Sequence, residues 1–418
     1  MKDILLEKMF EMPRWEKAID VAVKKGIAKK DLLDLSTPKT RARLYIQLQS
    51  GQLKVIPSHQ ALIPKDNGEF RTVYINENVD RVLLSIINDL LFEMFPEMVH
   101  KQCKSYQIGI GCGKVVKEVS KHIVNIDNNV VGLKADLTKY FDSVPIRFID
   151  EIFDRIESKV GKSCVIDYLR SYYHCDLCFD TENNLITHYQ SLKQGCAIAS
   201  FLADALLYEI DDYFFNNSDY YVRYSDDLLI IGKNVTENYE LLKQKLDNYE
   251  LALNPKKVET LQKDKFFKFL GFSIRGSEIS LSKSRIKKFQ KEIEARTILD
   301  KTNNFERAVS NVNRFLYKGD YCWATSVLSV INVQEDIKTL NCFVMDCLRA
   351  VKTNRKKLYG LGYEIGKKQG VITAGKGKNV TSNRLKTDKI IDNYKTLGCM
   401  KKAMSMSSNL FRSIARQL

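Results

Sequence analysis

Three aspartates stand where apolar strands are expected to end. Asp136 closes the run Asn129-Val-Val-Gly-Leu-Lys-Ala-Asp136, and Asp226-Asp227 fall in a turn between Val222 and Leu228-Leu229-Ile230-Ile231. Carboxylates beside apolar strands are costly to bury unless cations offset their charge. Divalent metal ions held by oxygen ligands from two neighbouring strands are the simplest compensation, because Mg²⁺ favours carboxylates together with substrate phosphates. Two such ions about 3.5–4 Å apart would activate a 3′-hydroxyl and neutralise a leaving pyrophosphate in an in-line phosphoryl transfer. Taken alone, a paired aspartate at a turn is more often turn chemistry than a metal site, so the surrounding elements must decide.

Those elements are legible from periodicity. Residues 129–136 read as a buried strand and Tyr221–Ile231 as a hairpin with the acidic pair at its turn. The first 50 residues have helical spacing, with Ile4, Leu5, Met9 and Phe10 and then Ile19, Val21 and Val23 as the apolar positions. Asn67-Gly68, flanked by Ile63, Phe70 and Val73, marks a second hairpin. A long helix is expected over Val79–Met98 and another amphipathic helix ending near Ile123. After Gly276 strand signals fade, and helices are expected over Ile286–Ile298, Phe305–Tyr317 and Val333–Val351.

Composition bounds the class. The chain has 418 residues, 44% apolar and 28% charged, with only 7 prolines, which is a globular composition with room for a sizeable core. No apolar run approaches the roughly 20 residues of a membrane span. Charges interrupt the apolar residues of the N-terminus, so a cytoplasmic protein without a membrane partner is expected. The ten cysteines read as reduced thiols. The net charge of +15 is uneven: residues 277–418 hold 28 basic and 12 acidic side chains, whereas the first 276 nearly balance. Such a surplus suits a polyanion, most commonly nucleic acid, although a solvated basic face would look the same.

With these elements in place the sequence resembles the reverse transcriptases. Tyr224-Ser-Asp-Asp227 in an apolar hairpin is similar to their Tyr-x-Asp-Asp signature, and Asp136-Leu-Thr-Lys-Tyr-Phe141 to the strand carrying the partner carboxylate. Gln194-Gly195 with Ser200, Leu253-Asn-Pro-Lys-Lys257, Phe269-Leu-Gly-Phe272 and Ile63–Arg71 follow the order of the family's other blocks, and the resemblance extends over about residues 56–355. It implies an α+β fold, a right-hand polymerase with fingers, a palm built on a small antiparallel sheet and a helical thumb. The implied domains are a helical extension (1–55), fingers (56–130), palm (131–276, with an insertion about 165–193), thumb (277–355) and a basic RNA-binding appendix (356–418).

Carried over by position, Asp136, Asp226 and Asp227 would be the metal ligands for two Mg²⁺ ions, with Mn²⁺ as a substitute. Lys257 would donate a proton to pyrophosphate. Lys65 and Arg71 would grip the triphosphate, for which a fork and a point charge are suited. Gln194 and Gly195 would pack under the nascent base pair, Phe141 would gate against a 2′-hydroxyl, and Phe269, Leu270, Gly271 and Phe272 would form the primer grip. Without the motif, Phe141 reads as a core aromatic. In the thumb, Arg314, Phe315, Tyr317 and Lys318 are expected to track the duplex.

The implied activity is RNA-directed DNA synthesis from deoxynucleoside triphosphates, with an RNA template and a cDNA product as partners; homo-oligomerisation is left open. Gly109-Ile-Gly-Cys-Gly-Lys-Val115 lacks the phosphate-loop spacing and its Ser or Thr. His174-Cys-Asp-Leu-Cys178 has no second ligand pair at zinc spacing. Ser105-Tyr-Gln-Ile-Gly lacks the family's usual arginine, and Ser200-Phe201 replaces its usual Ser-Pro. These departures and the basic tail are most like the defence-associated bacterial members of the group II intron-like lineage, which work with a structured noncoding RNA in antiphage defence. The alternatives are a group II intron-type enzyme or maturase, a retron-like enzyme, and a non-catalytic RNA-binding protein on the same fold.

Overall fold

A computed structural model describes residues 2–352, apart from 66–67, 127–128, 189–190, 301–303 and 319–321. The appendix expected at 356–418 lies outside the described residues. In chain order the elements are α1 (Ile4–Met9), α2 (Met12–Lys24), α3 (Pro38–Gln49), β1 (Ser58–Pro64), β2 (Phe70–Ile75), α4 (Asn78–Met94), α5 (Cys112–Val124), β3 (Val130–Asp136), α6 (Tyr140–Ser143), α7 (Ile146–Val160), α8 (Cys164–His174), β4 (Leu177–Phe179) and β5 (Leu185–Thr187). Then follow α9 (Ala199–Leu206), α10 (Tyr208–Asn217), β6 (Tyr220–Tyr224), β7 (Asp227–Ile231), α11 (Val235–Asp247), β8 (Glu259–Gln262), β9 (Phe267–Phe269), β10 (Phe272–Arg275), β11 (Glu278–Leu281), α12 (Lys283–Arg296), α13 (Phe305–Tyr317) and α14 (Gln334–Lys352). They form two compact units, one of residues 1–109 and 130–261, the other of 110–129 and 262 onward.

The first unit is built on the sheet β6-β7-β3-β8. Val131, Leu133, Ala135, Val222 and Leu228 to Ile231 are buried on both faces of its strands, which is why they read as continuous apolar runs. A second sheet, β2-β1-β4-β5, pairs β1 antiparallel with β2 and parallel with β4. The N-terminal helices belong to the same core through Leu5, Leu6, Met9 and Trp15. Asp3 accepts hydrogen bonds from the Leu5 and Leu6 amides at the start of α1 and from Ser163 Oγ and the Cys164 amide at the start of α8, so one carboxylate caps two helices. Arg14 of α2 holds Glu93 of α4 in a two-point fork at 2.9 and 2.7 Å. The helix expected to reach Met98 stops at Met94, because Phe95 precedes a proline and leaves the helical region.

In the second unit β9, β10 and β11 form a three-stranded antiparallel sheet. Strand signals were expected to fade after Gly276, yet β11 follows it directly. Four residues, with Ile279 and Leu281 buried and Glu278 and Ser280 half-buried, are enough for a strand once β10 supplies its partner. Its outer edge is closed by Asn332, which accepts from the Ile279 amide at 2.7 Å and donates to the Ser277 carbonyl at 2.7 Å. Helices α12, α13 and α14 bury Phe289, Ile293, Val309, Val312, Leu316, Leu340 and Val344. Among the described residues no helix is long and apolar enough to cross a membrane, and the nine cysteines are free thiols.

Candidate active site

The carboxylates are placed by strand register. β3 and β7 pair from Gly132 opposite Ile231 to Asp136 opposite Asp227, and β6 and β7 close a hairpin at Tyr224 opposite Asp227. Its two-residue turn, Ser225-Asp226, takes Ser225 into the left-handed region at φ 58°, as the tight hairpin turns require. Backbone bonds fix the end of β3: the Leu137 amide donates to the Asp226 carbonyl at 3.1 Å and the Asn254 amide to the Asp136 carbonyl at 2.8 Å. The loop after Leu253 brings Lys257 onto Asp136, its Nζ donating to both carboxylate oxygens at 2.8 and 2.7 Å.

These groups perturb one another. Burial, and then the charge of Asp136, raise Asp226 above the usual carboxylate range. Burial together with the charges of Asp226 and Asp136 pushes Asp227 up to about 6. Burial works against a charged Lys257, yet the hydrogen bond and charge of Asp136, with Asp226 and Asp227 behind it, hold the ammonium above its ordinary value. A carboxylate raised in this way binds its proton more tightly folded than unfolded. Its stabilising contribution is therefore complete below about pH 4 and lost as pH rises through about 6. Thermal unfolding in a chelator should show the Asp227 contribution falling from pH 4.5 to pH 7 in the wild type, and that fall should shrink in Asp227→Asn; equal pH dependence in the two proteins would contradict it.

Hard carboxylate oxygens that burial and like charge set beside one another are a donor set that fits Mg²⁺. Among the described residues no three or more acidic, histidine or cysteine side chains close on one point. Magnesium ordinarily takes one or two carboxylates, with water and substrate phosphates completing the shell.

Beneath the turn lies a charge network that the sequence reading did not include. Arg223 of β6 is fully buried. It grips Asp211 of α10 through Nε to Oδ1 at 2.7 Å and Nη2 to Oδ2 at 2.6 Å, and donates Nη1 to the Ser225 carbonyl at 3.3 Å. Asp204 of α9 accepts from Ser105 Oγ at 2.6 Å, and burial pushes it up to about 7 against the Arg223 charge. The backbone of Gln102 and Lys104 pairs with Arg223 along the outer edge of β6. Tyr106 completes the brace, its hydroxyl 3.3 Å from Ser225 Oγ. A basic residue two positions before Ser225 inside an apolar strand was the available signal.

The residues expected around the incoming nucleotide are on the first unit. Lys65 and Arg71 flank the tip of the β1–β2 hairpin, both exposed, with Lys65 3.4 Å from Glu69. The Tyr74 amide of β2 donates to the Gln194 carbonyl at 2.7 Å. Gly195 follows at φ +102°, where an added Cβ would lie 3.0 Å from the Tyr74 carbonyl oxygen; only glycine lets the chain lie this close to β2. Phe141 is half-buried on α6, edge-on to Tyr140 at 5.6 Å. Its exposed neighbour Asp142 lies within electrostatic reach of Lys65 and Arg71.

The expected grip hairpin lies in the second unit. Phe269 and Phe272 face each other across β9 and β10 and are buried. The turn between them has Leu270 at φ 48° and Gly271 at φ 80°, the left-handed pair of a type I′ hairpin. Phe315, expected to track the duplex, is half-buried beside Phe289 and Trp323 at 6.1 and 6.0 Å, with the Arg296 guanidinium over its ring. Arg314 and Lys318 are exposed.

The sequence model of one family, described as reverse transcriptase (RNA-dependent DNA polymerase), matches residues 63–274. Among solved structures, the chain is similar to the telomerase of Candida albicans in complex with a fragment of telomeric RNA, at 11% identity and a TM-score of 0.42. That similarity covers 73% of this chain and 60% of the other, so the chain spans less than two thirds of its length. No curated protein matches the chain.

Proposed function

The chain belongs to the reverse transcriptase family, and from that premise we propose that it is an RNA-directed DNA polymerase, adding deoxynucleotides to a primer 3′-hydroxyl on an RNA template. The observation that carries the proposal is the meeting of Asp136 and Asp227 in register, with Asp226 between strands and Lys257 on Asp136. A binding module has no use for buried carboxylates that raise one another.

When bound, magnesium ions supply a lowered pKa for the primer hydroxyl and neutralisation of the leaving pyrophosphate. Asp136 and Asp226 would hold them, with Asp227 outside. Lys65 and Arg71 take the triphosphate oxygens, which orients the α-phosphorus for in-line attack. Lys257, like any lysine, is protonated at neutral pH, Asp136 favours that charged form further, and its ammonium can pass a proton to pyrophosphate. Phe141 limits room at the sugar, and its truncation to alanine should narrow the deoxynucleotide over ribonucleotide preference in kcat/KM by about tenfold or more. Unchanged sugar discrimination would remove that role.

The finer reading places the protein in the cytoplasm with the defence-associated members of the group II intron-like lineage, copying a dedicated structured noncoding RNA during phage infection. Its support is the departures at Tyr106-Gln107 and Ser200-Phe201 and the basic residues beyond 352. The test has two arms. Purified protein should extend a primer on RNA in Mg²⁺ and stop in chelator; no incorporation in either Mg²⁺ or Mn²⁺ on any template overturns the polymerase reading. Nucleic acid recovered with the protein during infection should contain one defined RNA and its complementary DNA, and the DNA should vanish in an Asp226→Ala/Asp227→Ala control. Intron RNA instead would overturn the defence assignment alone.

A further inference from the structure

Lys193 is half-buried, and its backbone lies in the left-handed region at φ 54°. A lysine is uncommon there and stays only where its surroundings hold it. Its own ammonium does the holding. Nζ donates to the Tyr172 carbonyl at 2.6 Å and to the Cys175 carbonyl at 2.7 Å, and lies 4.5 Å from the centroid of the Tyr172 ring. Tyr172 is in the last turn of α8 and Cys175 follows its end, where carbonyls lack helical partners and the helix dipole favours a cation. Burial still lowers Lys193 below the ordinary lysine range, so the helix end is closed at a cost that a solvated lysine would not carry.

The same residue opens a tight turn. The Cys196 amide donates to the Lys193 carbonyl at 3.1 Å, which leaves Gln194 and Gly195 as the two central residues. Gly195, at φ 102°, takes the position where such a turn calls for left-handed backbone. The turn is pressed onto β2: the Gln194 carbonyl accepts from the Tyr74 amide at 2.7 Å, and a Cβ on Gly195 would lie 3.0 Å from the Tyr74 carbonyl oxygen, so there is no slack between them. Asn76, just past the end of β2, accepts from the Tyr172 hydroxyl at 2.8 Å, and the Tyr173 hydroxyl reaches the Leu192 carbonyl at 3.4 Å. The end of α8, the turn and β2 are thus one clamp, with the Lys193 ammonium tying turn to helix. Strand β2 also carries Arg71, three residues before Tyr74, whose charge reaches Asp226. What fixes β2 therefore fixes this cation relative to the carboxylates.

We propose that Lys193 is a positioning residue for the incoming nucleotide: by tying the Gln194-Gly195 turn to the end of α8 it holds β2, and with it Arg71, at the separation from Asp226 that a triphosphate bridges. It acts through the turn and not on the reacting atoms. This inference rests on the polymerase reading, since it names what keeps the triphosphate site in shape.

The test is single-turnover incorporation on a primer–RNA duplex with the deoxynucleotide concentration varied, beside duplex affinity by fluorescence anisotropy and thermal unfolding. Lys193→Met keeps the aliphatic stem and removes the donors. The half-saturating nucleotide concentration should rise at least about fivefold with the maximal rate within about twofold, while duplex affinity stays at the wild-type value. Lys193→Arg should bring nucleotide affinity most of the way back. Lys193→Gly suits the backbone and lacks the tie; it should weaken nucleotide binding as Lys193→Met does, and it carries the test if Lys193→Met does not fold. In an Arg71→Ala background, Lys193→Met should weaken nucleotide binding by less than about twofold, because the tie acts through a cation no longer there. Nucleotide affinity within about twofold of wild type in both Lys193→Met and Lys193→Gly overturns the proposal, and a lowered Tm with unchanged affinity shows a lysine that merely closes a helix. A full loss retained without Arg71 overturns the route through β2. Each of these results, with the wild type still extending primers, sinks this inference alone; a wild type that incorporates nothing in Mg²⁺ or Mn²⁺ sinks the polymerase reading and the inference with it.

Discussion

Primer extension by an Asp136→Asn variant is expected to fall by at least about a thousandfold, with Tm unchanged or raised. Asp136 is 4% exposed and carries the charge that raises Asp226 and Asp227. Asparagine keeps its shape, its carbonyl acceptor and the backbone bond from Asn254, but removes the negative charge on which metal binding depends. Two of the three carboxylates are then relieved of a like charge, which favours the fold. Lys257 loses its partner, at little cost for a half-exposed ammonium that water can solvate. Activity and stability should therefore move in opposite directions, as at a site where local strain serves function. The measurement is single-turnover incorporation at saturating Mg²⁺ beside a calorimetric scan. Wild-type rates in Asp136→Asn would remove this carboxylate from the chemistry. A joint collapse of rate and Tm would make its role structural.

Arg223→Met should have the largest effect on stability, a loss of about 3–5 kcal/mol. The substitution leaves Asp211 buried without its two-point cation, and takes away the donor to the Ser225 carbonyl. The loss is an uncompensated buried charge and not the net worth of the pair. Adding Asp211→Asn to Arg223→Met should accordingly recover part of it. Asp204→Asn alone should do much less, because burial already pushes Asp204 up to about 7, so less is lost with its charge. Denaturant midpoints for the four proteins decide the matter, and a single-variant loss under about 1 kcal/mol, or no recovery in the double variant, would refute the account. Because Arg223 reaches the turn that carries Asp226, the rate of the folded fraction should fall as well.

The contrast between these two sites shows what a sequence displays. Asp136 and the Asp226-Asp227 pair were legible because each ends an apolar run, and a strand's end is a local event written in consecutive residues. The Tyr220–Ile231 hairpin was legible for the same reason. The partner of Arg223 was not, since Asp211 is twelve residues away on a helix and only the packing of α10 on β6 joins them. Phe315 shows a second limit. Its spacing on α13 suits a groove-reading aromatic and a core one equally, and its packing on Phe289 and Trp323 comes from positions too distant to be read locally. Strand β11 was missed because four residues carry too little alternation to be seen without the strand beside them. Lys257 was named only from the resemblance of its loop, which left a surface lysine equally open, and its seat on Asp136 goes with the backbone bond from Asn254.

The shared cap at Asp3 has a consequence for how the chain is made. A six-residue helix does not hold its shape in water, and part of what fixes α1 is the start of α8, some 160 residues later. At ribosomal rates of about 5–20 residues per second, Leu5, Leu6 and Met9 would wait on the order of ten seconds or more before that carboxylate finds Ser163 and Cys164. The capping of α1 is thus completed only after α8 has emerged, and until then its apolar residues are ones a chaperone would meet on the nascent chain.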